Sequence, residues 1–343
     1  MKLFLAALIV LAGSTTTLAE PKHEDATRVA LAGSKLKPNE AADLEASLAK
    51  QPDDLTTRTK LLGYYGILRF TSRPAREAAA GHTIWVITNR PKAEIAGTPF
   101  CYLDRIIDPV AYGEAKQLWL DHAKAQPKDA IILGNAAKFL RLHDAAQAER
   151  LFKEARALEP KNPEWFDQLA QLYLRQGAKA GAKKALAELE AAQSVDPDSN
   201  SRFYRLDELT KAAFDAGDYD KADRLAKELL DTVTKRKRDW SYGNAIHCAN
   251  NTLGRLALKK GDVKTANEYL LKAGQTPGSP QLNSFGPNMS LAKELIEAGQ
   301  QETVLQYFDL CRKFWEGHGN TLDEWKTDIT AGRTPKFGAN LVY

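Results

Sequence analysis

Cysteine is scarce in this 343-residue chain: Cys101, Cys248 and Cys311 are the only three, and they lie far apart. So few thiols, odd in number, exclude a disulfide framework as the source of stability. All three read as ordinary buried residues. Charge of one sign is lacking too. There are 48 Lys and Arg against 44 Asp and Glu, interspersed, for a net +4 at pH 7. That balance carries no nucleic-acid footprint. The one basic run, Lys235 to Arg238, is followed at once by Asp239 and reads as a solvated helix end. Beyond residue 19 no apolar run approaches the roughly 20 residues of a membrane-spanning helix.

What is present begins with an export address. Met1-Lys2 gives a short basic start, Leu3 to Ala12 is an unbroken apolar run, and small and polar residues lead to Leu18-Ala19 before Glu20-Pro21. That order reads as a secretory signal peptide cleaved after Ala19. The run is too short to span a membrane as it stands. Leu11-Ala12-Gly13-Ser14 approaches a lipobox, but Ser14 occupies the place of the lipidated cysteine. The expectation is a periplasmic or secreted protein. Its remaining length suffices to bury about three quarters of the unfolded chain's surface without covalent help.

A punctuating hexamer recurs along the chain. Gly217-Asp218-Tyr219-Asp220-Lys221-Ala222 and Gly261-Asp262-Val263-Lys264-Thr265-Ala266 are its clearest copies, with weaker ones at His143 to Ala148, Gly177 to Ala182 and Gly299 to Val304. Apolar and small residues stand four, seven and eight positions before each turn, as at Tyr173, Leu169 and Ala170. Those offsets lay a stripe along one helix face. A second helix follows, carrying Ala148, Phe152 and Ala155 in one copy and Ala222, Ala226 and Leu229 in another. Two helices joined by a short turn approach closely only where one of them lacks a bulky side chain. Helix stops close the units at Pro52, Pro91, Pro127, Pro160 and Pro197, 33 to 39 residues apart. That is the period of stacked helix pairs.

The unit of Leu/Gly-Ala, Tyr/Phe, Gly-Asp-Tyr, Ala, Phe, Ala and Pro resembles the tetratricopeptide repeat family. Pro163 to Pro197 is the best copy, with Trp165, Phe166, Leu169, Ala170, Tyr173 and Gly177; His247 to Pro280 and Asp129 to Asn162 follow. The resemblance covers about residues 115 to 318, with degenerate copies over 39 to 100. It implies an all-α fold, a right-handed solenoid of antiparallel helix pairs. Spacings of 44 residues from Ala222 to Ala266 and 38 from Ala266 to Val304 make the repeat irregular.

The expected order is a signal peptide at 1–19, a flexible or short helical lead-in at 20–38 and degenerate pairs over 39–110. The clearer solenoid follows over 111–318, then a capping helix and tail over 319–343. Gly274 to Met289 reads as an ordered loop, with a shorter break at Ala96 to Pro109. Thr321-Leu322-Asp323-Glu324 reads as a capping box opening a last helix that ends near Gly332. Thr83 to Thr88 is β-branched enough for a strand. Its distance from Pro91 favours a second helix. The tail from Arg333 is left unassigned.

Catalytic chemistry finds little support. His23, His82, His122, His143, His247 and His318 share no ligand spacing on one helix, so neither a metal nor a cofactor is expected. His247 and Cys248 are adjacent, and neighbours in a helix point about 100 degrees apart. Neither a nucleophile elbow nor a phosphate-cradling glycine loop occurs. A dense polar cluster surrounds Trp240, Tyr242 and Asn250. Within it Asn244, His247 and Asn251 form one helix stripe, either a buried network tying helices together or a ligand contact.

The resemblance implies that the first helix of each pair lines a concave groove that accepts a protein or peptide segment. Carried over by position, the groove holds Asp167, Gln171 and Arg175; Asp207, Lys211 and Asp215; and Asn251, Arg255 and Lys259. Asn251, Arg255 and Lys259 could hold a carboxylate or an acidic segment. The fuller Lys and Asn set of the family's chaperone-tail clamps is not found. The expected function is a non-catalytic binding scaffold, with no nucleic-acid partner and no membrane span after processing. Two other classes stand beside it: an envelope polymer hydrolase or lyase with acids from separate helices, and a structural subunit of an envelope assembly.

Overall fold

The computed structural model describes residues 25–341, so the signal-peptide reading of residues 1–19 lies outside the described residues. They form seventeen α-helices and four short 3₁₀ turns, with no strand among them. Two compact units divide at Leu172 and Tyr173.

The unit up to Leu172 holds α1 (Ala26–Gly33), α2 (Pro38–Lys50), α3 (Leu55–Leu68), α4 (Arg73–Asn89), α5 (Pro109–Ala125), α6 (Ala130–Leu140) and α7 (Ala145–Leu158), and most of α8 (Pro163–Arg175). Local signals set the starts. Asp54, Ser72, Asp108 and Asp129 accept from backbone N–H groups of the first turns they precede, satisfying donors that a helix start leaves orphaned. The break at Ala96 to Pro109 carries 3₁₀ turns at Glu94–Gly97 and Pro99–Cys101. Thr83 to Thr88 is helical, within α4. Thr83, Val86 and Ile87 point into the unit fully buried, and that burial outweighs their strand preference. Trp119 and Trp165 are buried.

One helix crossing here is unusually tight. A Cβ on Gly63 would lie 1.8 Å from the Ala30 carbonyl oxygen, and one on Gly33 would lie 2.0 Å from that of Lys60. α1, in the stretch read as flexible or briefly helical, therefore packs backbone to backbone on α3.

The unit from Tyr173 holds α9 (Ala178–Val195), α10 (Ser199–Ala216), α11 (Tyr219–Thr234), α12 (Tyr242–Lys259), α13 (Val263–Gly274), α14 (Pro280–Phe285), α15 (Ser290–Glu297), α16 (Gln301–Cys311) and α17 (Gly319–Thr330). The recurring hexamer is a two-part device. Gly217, Gly261 and Gly299 take φ of 86°, 80° and 78°, a left-handed conformation that ends the first helix at little cost to glycine. Asp218 and Asp262 then cap the second helix by accepting from Lys221 N and Thr265 N. The small residues Ala222, Ala266 and Val304 are fully buried where paired helices meet. In both units consecutive helices pack on one another, in the manner of a tetratricopeptide-like helical repeat solenoid.

Leu322, Trp325 and Ile329 of α17 bury themselves against Tyr307, Phe308, Cys311 and Trp315. α17 thus caps the final pair, as a terminal element of a solenoid must. Its start differs from expectation. The 3₁₀ turn Glu316–His318 runs directly into Gly319, so the chain is already helical before Thr321 and the capping box does not form. Gly274 to Met289 also differs from a plain loop, since Ser279 caps the short helix α14. The tail is fixed. Asn340 Nδ2 donates to the carbonyls of Phe285 and Pro287, and its own carbonyl accepts from Met289 N. The three cysteines are buried and free.

Candidate functional site

α10, α12 and α15 are first helices of three successive pairs, and α12 packs against both of the others. Asp207, Lys211 and Asp215 recur at every fourth residue, one face of α10. Across from them α12 presents Asn244, Arg255 and Lys259, and α15 presents Glu294.

These side chains join into a ladder. Asn244 Nδ2 donates to Asp207 Oδ2, and Lys211 Nζ lies 3.5 Å from Asp207 Oδ1. Arg255 Nε and Nη2 both reach Glu294 Oε1, at 2.9 and 2.8 Å, and Nη1 stands 3.8 Å from Asp215. The Arg255 guanidinium also lies over the Phe214 ring, 4.1 Å from its centroid. Lys259 is exposed, with its ammonium 5.1 Å from the Tyr219 ring centroid and 5.7 Å from that of Phe214. The aromatic faces hold both cations by their negative quadrupole.

Electrostatics tune the ladder. Burial works against the Lys211 ammonium, but Asp207, Cys248 and Glu208 together outweigh it and the pKa ends above the usual lysine range. Burial raises the Asp215 carboxyl and Glu294 adds to the rise, while Arg255 and Lys211 oppose it. Asp215 is nonetheless 53% exposed, the most open acid of the ladder. Apart from Lys259, which among the described residues meets only the aromatic rings, each charge here has an opposite within reach, so the face offers paired dipoles rather than one sign.

The polar stripe on α12 ties helices together. His247 Nε2 meets Tyr307 Oη at 2.9 Å, and Asn251 Nδ2 donates to the Asn288 carbonyl at 3.1 Å. Both residues are buried. Asn250 is buried too and turns back onto the Ile246 carbonyl. His247 and Cys248 face different neighbours, because Cys248 Sγ points to the Asp207 carbonyl. Burial pushes the Cys248 thiol well up. On α8, Asp167 and Gln171 are half-buried and Arg175 is exposed. Among the described residues no group of three or more His, Cys, Asp or Glu is placed to hold a metal ion. No helix of the described residues is long and apolar enough to cross a membrane.

Four contributors escaped the sequence reading. Glu294 stands one position off the offset that locates Arg255, and Phe214 and Tyr219 flank the turn glycine rather than facing the groove by spacing. Tyr307 is sixty residues from His247. Only the acid opposite Arg255 left a trace, as a charge of complementary sign on the next first helix.

Residues 139–206 match the family model described as tetratricopeptide repeat. The matched stretch spans α7, α8 and α9 and their flanks. No curated protein matches the chain. Tetratricopeptide repeats generally mediate protein–protein interaction, and proteins built on them are typically non-catalytic scaffolds.

Proposed function

We propose that this chain is a non-catalytic scaffold of the periplasm or extracellular space, and that it holds a protein or peptide segment against the face of α10, α12 and α15. The observation that carries the reading is the ladder from Asp207 to Glu294. It places aromatic-backed cations and half-exposed acids on three successive first helices of a repeat whose segment 139–206 matches a protein-binding family. An extended segment or helix crossing that face would exchange internal ion pairs for its own, with affinity set by a few anchors. Lys259 and Asp215 are the open ends of the ladder, so a partner carrying both signs of charge fits better than a purely acidic tail.

The test is crosslinked capture of the mature protein from its native envelope fraction, with recovered proteins identified by mass spectrometry. Two variants sharpen it. Lys259→Glu changes an exposed group without breaking an ion pair, and Arg255→Glu with Glu294→Arg keeps the 255–294 pair with its ends exchanged while giving up the Asp215 contact and the stacking on Phe214. Both are expected to leave the helical circular dichroism unchanged and to reduce recovery of a specific partner by about tenfold, a loss of ~1.4 kcal/mol. Recovery equal to the parent's would remove the ladder as the binding face. Export has its own check. Mass spectrometry of the mature chain should find Glu20 at its N-terminus, and an intact Met1 in the envelope fraction would count against cleavage.

The envelope hydrolase or lyase and the structural subunit stay outside this reading. The first requires two facing carboxylates, one held protonated near neutral pH. In the ladder, Asp215 is raised but shares its Arg255 contact with Glu294. The second requires a stable complex that survives both ladder variants.

A further inference from the structure

The connection from α11 to α12 carries a surface that the ladder does not use. Tyr204 of α10 and Trp240 stack face to face, with centroids 6.0 Å apart and planes inclined by 17°. They remain 40% and 45% exposed. Asp239 holds the pair in place by turning inward: it accepts from Tyr204 Oη at 2.9 Å, from Ser241 N at 2.9 Å and from Ser241 Oγ at 2.8 Å. That occupies the carboxylate that follows the basic run. Lys235 pairs with Asp231 at 2.8 Å, and Arg236 lies over the Phe203 ring at 4.5 Å. Lys237 and Arg238 are exposed and make no ion pair among the described residues. The result is a fixed aromatic pair beside two uncommitted cations.

We infer that this surface docks on an anionic lipid membrane. Charge complementarity requires a negative partner, since the acids of the segment are already engaged and its free groups are all cationic. The aromatic pair narrows the choice. Open indole and phenol rings with a polar edge suit the headgroup layer, where Trp and Tyr concentrate. Lys and Arg beside them add attraction to anionic headgroups, about fivefold in affinity for each cation near the surface. One such signal binds weakly and reversibly, and the two together strengthen the association. The contact is peripheral. Tyr204 lies about one helical turn from Asp207 at the near end of the ladder. Asp215 is about three turns from Tyr204 along α10 and Lys259 lies at the far end of α12, so a docked chain keeps those two available.

Flotation of the purified chain with vesicles tests this directly. Vesicles of phosphatidylcholine with phosphatidylglycerol should carry the protein upward at low ionic strength, and vesicles of phosphatidylcholine alone should not. Lys237→Glu with Arg238→Glu is expected to lower partitioning at least tenfold, and Trp240→Ala several-fold. All three positions are exposed, so circular dichroism should match the parent. Lys259→Glu should float like the parent, which separates this surface from the ladder. Equal flotation on both vesicle types, none on either, or parent-like flotation of the double variant would overturn the inference, and an acidic protein would then be the partner to seek.

Discussion

Gly63→Val is expected to cost the N-terminal unit about 3 kcal/mol or more, beyond the usual range for overpacking. On helix propensity alone the substitution should help, because glycine in a helix interior is up to about 1 kcal/mol worse than alanine. Packing reverses the sign. Even the Cβ would lie 1.8 Å from the Ala30 carbonyl oxygen and 2.6 Å from its carbon, and these are backbone atoms that cannot swing aside. Relief requires α1 to move away from α3. That movement would expose Val29 and Ala30 and loosen the packing of Leu61 and Leu62, all buried now. Gly33 faces Lys60 in the same way, so rotation about the contact gives no escape. Gly81→Ala on α4 is the control, since nothing lies within 4 Å of its added methyl group. It should stabilise by roughly 0.4–1 kcal/mol. Urea unfolding of both variants beside the parent decides the matter. A Gly63→Val midpoint within error of the parent's would mean that α1 does not hold its place on α3.

The tight crossing was invisible beforehand, and the reason is general. Sequence shows what a residue permits at its own backbone position and what recurs at fixed offsets. It does not show which distant backbone comes close. The turns were legible because both halves of the device are local: glycine takes the left-handed conformation at Gly217 and Gly261, and the following aspartate caps the next helix. The small residue five positions on was legible for the same reason, and Ala222 and Ala266 are fully buried. The capping box at Thr321 misled because a preceding 3₁₀ turn had already started the helix. Nothing local announces such a turn.

The proposed binding face was legible in part. Family offsets placed Asp207, Lys211, Asp215, Arg255 and Lys259 on facing first helices, where Lys211 stands near Asp207, Arg255 stands near Asp215, and Arg255 and Lys259 line the Phe214 ring. Asn251 shows where offsets stop working. The segment between α13 and α15, longer than in an ordinary pair, brings the Asn288 carbonyl over α12 and takes up the Asn251 amide. An extra connection thus converts a groove position into a buried strut. Asn340 serves the same connection from the other side, and no repeat period reaches it.

The strut network on α12 has a pH consequence. Burial pushes the His247 imidazole down to about 4, with Asp207 opposing and Lys211 reinforcing the shift. In the unfolded chain the ordinary value is about 6.5. Above pH 6.5 both states are neutral and His247 adds no pH dependence. Below it the unfolded chain gains a proton that the folded chain refuses, so stability falls as pH drops from 6.5 towards 4. At 1.36 kcal/mol for each pH unit the loss reaches roughly 2.5 kcal/mol by pH 4.5. The geometry agrees. The ring nitrogen bonds Tyr307 Oη, which also lies 3.4 Å from the Asn288 carbonyl, and water has no access to solvate an imidazolium there. His82 shifts in the same direction, lowered by burial and by Arg58 and opposed by Glu45, so the parent's acid sensitivity has a second source. His247→Gln isolates the first. It keeps a hydrogen-bonding group near Tyr307 without a titrating proton, and is expected to be less stable than the parent at pH 7 but to lose less on acidification. Urea unfolding of both proteins at pH 7 and pH 4.5 gives the difference of slopes, expected near 2.5 kcal/mol in the variant's favour. Equal acid losses in the two proteins would mean that His247 takes up its proton without opening the helices around Tyr307, and that the strut is wetter than its burial implies.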